Sequence, residues 1–114
     1  MRSPSRTLLA ILADLKAKQA NAARRNKPTM WAYFLSMRRG LKRWFTARTD
    51  GGLAGQALAL VQRAHQECSD AECPPTVAAH WWAMGTYAAR ILRAWDVRSP
   101  RRSLSWLRAR AEEG

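Results

Sequence analysis

An all-α fold, one compact bundle of about five helices forming a single domain over residues 1–114, is predicted by three observations. Apolar residues recur at steps of three and four through long stretches, which gathers them on one side of a helix. Pro, Gly and Asn punctuate the chain between those stretches, where they break helices. No segment alternates apolar and polar residues with the period of two that a half-buried strand requires. A length of 114 residues is that of one domain, long enough to bury a core without crosslinks.

The first helix is expected to start near Ser3 or Ser5, with Pro4 in its first turn, where a missing N–H costs nothing. Leu8, Ile11, Leu12 and Leu15 form its buried stripe, which fades through Gln19 and Ala22. Arg24 and Arg25 sit in the last turn, where cations complement the helix dipole. Asn26, Lys27 and Pro28 break the helix.

Pro28 to Arg48, PTMWAYFLSMRRGLKRWFTAR, is the stretch around which this reading is organised. Met30, Phe34, Met37, Leu41 and Trp44 make a helical stripe, flanked by Tyr33 and Phe45. Arg38, Arg39, Lys42 and Arg43 fan over the remaining surface. The apolar face is expected to hold the bundle together, and the cationic face to meet a polyanion. Solvation alone ordinarily mixes both signs of charge, and here one sign appears. Gly40 inside this helix costs about 1 kcal/mol against Ala, so it marks either close approach of another backbone or a weak point. Thr49-Asp50-Gly51-Gly52 reads as a turn.

A third helix is expected from about Leu53 to Cys68, with Leu53, Ala57, Leu60, Val61, Ala64 and Cys68 as a thin stripe of mostly small side chains that permits tight packing. Residues 69–75 form an acidic loop ending in Pro74-Pro75. The fourth helix, Thr76 to about Trp95, has the most regular heptad: Val77, Trp81, Met84, Ala88, Ile91 and Trp95. Trp82, Arg90 and Arg93 lie off that stripe. After a linker at 96–99, Ser99-Pro100 opens a last helix carrying Leu104, Leu107 and Ala111 with Arg101, Arg102, Arg108 and Arg110.

Charge is the most informative number. Twenty Lys and Arg face eight Asp and Glu, a formal net charge of +12. No acid lies between Asp14 and Asp50, although Lys16, Lys18, Arg24, Arg25, Lys27, Arg38, Arg39, Lys42, Arg43 and Arg48 do. Between Cys73 and Ala111 the one acid is Asp96. Such a domain repels itself, and a bound polyanion relieves the repulsion. Nucleic acid is the leading partner and an anionic membrane surface the second. The excess of Arg suits phosphate, which its fork pairs bidentately, though an Ala- and Arg-rich composition also follows from GC-rich coding.

Other functions find less support. The chain has two His, scattered acids, and no nucleophile elbow, phosphate loop or paired-His zinc motif, so an enzyme is not expected. His65, Cys68, Cys73 and His80 form a His-x2-Cys-x4-Cys-x6-His series that could bracket a loop, but its spacing is not that of a standard finger. Two buried thiols and two ordinary His is the simpler reading, and neither metal nor cofactor is expected. Gly85, with Ile91 six residues on, matches part of a helix-turn-helix. Bulky Trp81 stands where that motif uses a small residue, and the heptad runs unbroken through Gly85, which argues for one continuous helix. With two Cys there is no secreted disulfide scaffold. The run Leu8–Ala13 is too short to span a membrane and lacks a cleavage site, so a cytoplasmic location is expected.

The six Trp divide. Trp44, Trp81 and Trp95 lie on apolar stripes and are expected in the core. Trp31, Trp82 and Trp106, off-stripe or beside Arg, either stack on unpaired bases or pack against a protein neighbour. The expected binding residues are Arg24, Arg25 and Lys27 before the second helix, Arg38, Arg39, Lys42 and Arg43 along it, and a second cluster of Arg90, Arg93, Arg98, Arg101 and Arg102. Nothing here resembles base-edge readout, so the contacts are expected on the RNA or DNA backbone, independent of sequence.

WAYFLSMRRGLKRW at Trp31 to Trp44 and HWWAMGTYAARILRAW at His80 to Trp95, in a small basic helical chain, resemble the small subunit of class 1 CRISPR effector ribonucleoproteins. In length the chain is nearer the type IV subunits than the longer type I-E ones. The resemblance is one of character over most of the chain. It implies a non-catalytic subunit that packs as several copies along a filament of backbone proteins and steadies guide RNA, target or displaced strand. The Arg38–Arg43 face and the Arg90–Arg102 cluster would carry those contacts, and exposed apolar residues would meet neighbouring copies. No small-molecule substrate is implied. The rival readings are a phage or mobile-element DNA-binding regulator or inhibitor, a membrane-surface helical protein, and a helical scaffold that binds protein alone.

Overall fold

A computed structural model describes residues 3–95, which form four helices: α1 (Pro4–Arg24), α2 (Pro28–Trp44), α3 (Asp50–Ser69) and α4 (Pro75–Trp95). No strand occurs among the described residues. The count is four where about five was expected, and the expected fifth helix lies outside the described residues.

α1 begins as its sequence dictates. Ser3 caps it, its hydroxyl accepting the Arg6 N–H at 3.3 Å, and Pro4 takes the first position. It ends in a tight reversal at Asn26, whose φ of 53° is the left-handed region that Asn tolerates better than most residues. The Lys27 N–H donates to Ala22 O at 2.9 Å and the Asn26 N–H to Ala23 O at 3.1 Å, the paired bonds of a Schellman cap. Pro28 then opens α2. Three consecutive signals in the sequence thus fold α2 back along α1.

α2 stops at Trp44 rather than continuing to Arg48, and Gln56 of α3 is the reason. The Trp44 indole N–H donates to the Gln56 backbone carbonyl at 2.7 Å. The Gln56 side-chain oxygen accepts the N–H groups of Thr46 and Ala47 at 3.1 and 3.0 Å. With these donors satisfied outside a helix, the chain leaves α2 and drops Phe45 into the core.

α3 starts at Asp50, so the segment read as a turn is a helix start. The Thr49 hydroxyl accepts the Gly52 N–H at 3.0 Å, and the Asp50 carboxylate occupies the first turn, where the dipole favours it. Asp50 also accepts the Ser5 N–H at 3.1 Å, tying the start of α1 to the start of α3.

The core draws on all four helices, with Ile11 and Leu15 of α1 and Met37 and Leu41 of α2 joining it, and is densest between α3 and α4. A methyl group added at Gly85 of α4 would lie 2.7 Å from the Ala64 Cβ of α3, closer than carbons can stand, so the crossing requires glycine. α4 runs straight through Gly85, as the unbroken heptad predicts. Leu53, Ala54, Ala57, Leu60, Val61 and Ala64 of α3 are all buried, whereas α2 fully buries just Met37 and Leu41. α2 is therefore not the centre of the bundle. Small side chains let α3 approach its neighbours closely enough to bury a thin stripe completely; the bulky α2 stripe packs mainly on α1, with Phe34 and Trp44 half-buried. The α4 heptad is buried at Met84, Ala88 and Ile91, while its ends, Val77 and Trp95, are exposed.

Candidate nucleic-acid interface

The Asn26 reversal sets Arg24, Arg25 and Lys27 on one exposed elbow. From there α2 carries Arg39, Lys42 and Arg43 outward, all exposed. Arg38 departs from this row. It is half-buried between α1 and α2, its guanidinium donates to the Gln19 side-chain oxygen at 2.6 Å, and its buried Nε has no hydrogen-bond partner. Arg38 thus braces the α1–α2 pair. Its position beside the Met37–Leu41 stripe was the available signal, together with Gln19 at the fading edge of the α1 stripe. Arg90 and Arg93 are exposed on α4, with the Arg90 guanidinium 5.9 Å from the Tyr87 ring centroid. Arg98, Arg101 and Arg102 lie outside the described residues.

Two ion pairs occur among the described residues, Lys18 with Asp14 at 3.2 Å and Arg63 with Glu67 at 2.9 Å, each within one helix. Arg24, Arg25, Lys27, Arg39, Lys42 and Arg43 join neither. Apart from Asp14 on α1, the acids lie elsewhere: Asp50 heads α3, Glu67 is near its end, and Asp70 and Glu72 are in the loop that follows.

Among the described residues, hollows open beside these cations on two sides of α2. A groove of about 380 Å³ opens between α2 and α4, lined by Ser36, Arg39, Gly40 and Arg43 on one side and His80 on the other. Gly40 brings the helices together there: a methyl group on it would sit 3.2 Å from Met84 Cε and 3.9 Å from His80 Nε2. Close approach of another element is thus the role of this glycine. Burial pushes the His80 imidazole below its ordinary value, which keeps the ring neutral near pH 7. A second hollow of about 230 Å³ lies at the elbow, with Ala22, Met30 and Phe34 beneath Lys18, Arg25 and Lys27.

The aromatic residues sort differently from their stripes. Trp44 is half-buried and hydrogen-bonded, and half-buried Trp81 lies under the Arg63 guanidinium, 5.4 Å from its ring centroid. Trp95, expected in the core, is 54% exposed and rests its ring edge near Gly51 at the start of α3; the α4 stripe outruns the core at that end. Trp31 is exposed, as is Trp82 at 57%. Trp106 lies outside the described residues. The expectation of buried thiols fails: Cys68 is exposed, its thiol donating to Ala78 O at 3.4 Å, and Cys73 is partly exposed. Cys68 lies in the last turn of α3 and Cys73 in the following loop, both beyond the end of the buried stripe. Among the described residues no three His, Cys, Asp or Glu side chains converge as a metal site, and no helix is long and apolar enough to cross a membrane.

Comparison with protein-family models, with curated proteins and with solved structures gives no match.

Proposed function

We propose that this chain binds RNA or DNA through the phosphate backbone, without catalysis and without reading sequence, as a small subunit of a larger ribonucleoprotein. One observation carries the reading: the α1–α2 hairpin presents Arg24, Arg25, Lys27, Arg39, Lys42 and Arg43 to solvent with no acidic partner among the described residues. Unpaired cations along one hairpin repel one another, and a phosphate chain laid across them removes the repulsion while releasing its own counterions. Exposed Trp31, Trp82 and Trp95 supply apolar area for neighbouring subunits or copies, or platforms for unpaired bases. The resemblance to class 1 CRISPR small subunits, nearest in length to those of type IV, favours that kind of assembly.

Fluorescence anisotropy of labelled duplexes across a salt series tests this. With about six phosphates neutralised, log affinity falls against log salt with a slope near −5. Reversing charge at Arg39, Lys42 and Arg43 lowers affinity about a hundredfold, equally for unrelated sequences. A flat salt response, or a loss confined to one sequence, contradicts the proposal.

A further inference from the structure

We infer that the groove between α2 and α4 is a seat for one phosphoryl group, clasped by Arg39 and Arg43 with the Ser36 hydroxyl. In taking that group from a bound strand, the inference rests on the backbone reading above; the seat itself rests on the groove.

Arg39 and Arg43 are four residues apart, so they neighbour each other on one face of α2, where like charges repel. Both line the groove, and neither has an acidic partner among the described residues. Ser36 stands one turn earlier on the same row and adds a hydroxyl donor. Across the gap stands His80, whose half-buried ring brings an N–H donor without a full charge. The Gly40 floor lacks a side chain that would fill the groove. Two arginines and a serine lining one concavity offer guanidinium forks and a hydroxyl that suit the oxygens of a phosphoryl group, which Arg pairs bidentately. No acid lines the groove, so nothing there repels an anion. A volume of about 380 Å³ is at the small end of ligand sites, suited to one nucleotide unit rather than to a folded partner. Ala32 and Leu35 complete the groove wall. The elbow hollow pairs Lys18, Arg25, Lys27 and Asn21 with a floor of Ala22, Met30 and Phe34, and it has neither a hydroxyl nor an imidazole facing its cations.

The test uses the full chain and two probes, a short single-stranded RNA and inorganic pyrophosphate. Anisotropy compares Arg39→Gln/Arg43→Gln with Arg24→Gln/Arg25→Gln, which removes the same charge at the elbow. Ser36→Ala removes no charge. NMR follows the His80 ring as each probe is added. The groove pair is expected to weaken RNA binding about tenfold more than the elbow pair, and Ser36→Ala about three- to tenfold. The His80 signal shifts, and its protonation midpoint rises as the anion arrives beside it. Should RNA bind while both pairs weaken it equally, Ser36→Ala changes nothing and His80 stays still, the seat is overturned and the backbone reading stands. If pyrophosphate moves His80 but RNA does not bind, the seat stands for a free phosphorylated ligand and the backbone reading is overturned. If neither probe binds, both are overturned.

Discussion

α1 and α2 reverse through Asn26, and α3 and α4 through the loop at 70–74, yet the two hairpins are built from opposite materials. The α3–α4 pair closes on Ala54, Ala57, Ala64, Gly85, Ala88 and Ala89 and buries the α3 stripe from Leu53 to Ala64 and the α4 stripe from Met84 to Leu92, leaving Val77, Trp82 and Trp95 exposed at its ends and outer face. Glu67 near the end of α3, and Asp70 and Glu72 in the connection, are acidic. The α1–α2 pair joins bulkier side chains, leaves Met30, Trp31 and Tyr33 exposed, and has one acid, Asp14, against a row of Lys and Arg. Stability and charge are thereby assigned to different halves. A surface of one sign destabilises whatever carries it, so the strongest packing lies in the half that does not.

Four substitution experiments probe this division, from the largest expected effect to the smallest. Leu60→Ala removes a fully buried side chain on α3 and is expected to cost about 2–5 kcal/mol in denaturant unfolding. Phe34→Ala on α2, half-buried, should cost clearly less. Equal costs would erase the distinction between the hairpins.

Gly85→Ala and Gly40→Ala sharpen it. At Gly85 the new methyl meets Ala64 Cβ at 2.7 Å, backed by a helix that cannot yield, and overpacking costs about 1–3 kcal/mol. At Gly40 it meets the flexible end of Met84 at 3.2 Å. There the gain in helix propensity of up to about 1 kcal/mol offsets the crowding, and the midpoint of unfolding stays near that of the parent. Loss at Gly40 as large as at Gly85 would mean that α2 and α4 are pinned as tightly as α3 and α4.

Arg38 and Arg39 are adjacent in sequence and opposite in role. Arg39→Gln should flatten the salt slope of duplex binding by about 0.9, the share of one phosphate contact. Arg38→Gln should leave the slope unchanged, because that guanidinium is committed to Gln19. A slope change at Arg38 would restore it to the interface.

The smallest effect is that of pH on stability. Burial holds His80 below its ordinary value of 6.5, so the unfolded chain takes up a proton that the folded chain resists. Stability then falls as pH drops through 6.5 towards the folded value, and levels off below it. Thermal melts of the His80→Gln variant should lose that component between neutral and mildly acidic pH. An unchanged profile would show that the ring is not desolvated.

Much of this molecule is legible in one dimension. The Ser3-Pro4 start, the Asn26-Lys27-Pro28 reversal and the unbroken α4 heptad are local signals, and each lies where the sequence puts it. The errors share a cause. The first break signal after the α2 stripe is Thr49-Asp50-Gly51-Gly52, which carries the expected stretch to Arg48; the stop at Trp44 comes from Gln56, on another helix. Thr49-Asp50-Gly51-Gly52 reads as a turn because glycine is a poor helix former, yet the Thr49 cap and the contact between Asp50 and Ser5 begin α3 there. Trp95 fits its stripe perfectly and still projects beyond the core.

Helix periodicity, capping residues and the imbalance of charge are properties of neighbours along the chain, so the sequence by itself determined that this protein is helical and basic, and which residues could share a face. Which of those faces is buried, which arginine is a brace and which is free, and that Arg39, Arg43 and His80 border one groove were decided by the tertiary structure. The physical reason is distance: Gln19 and Arg38, or Gly40 and His80, are far apart in sequence and adjacent only once the helices have packed.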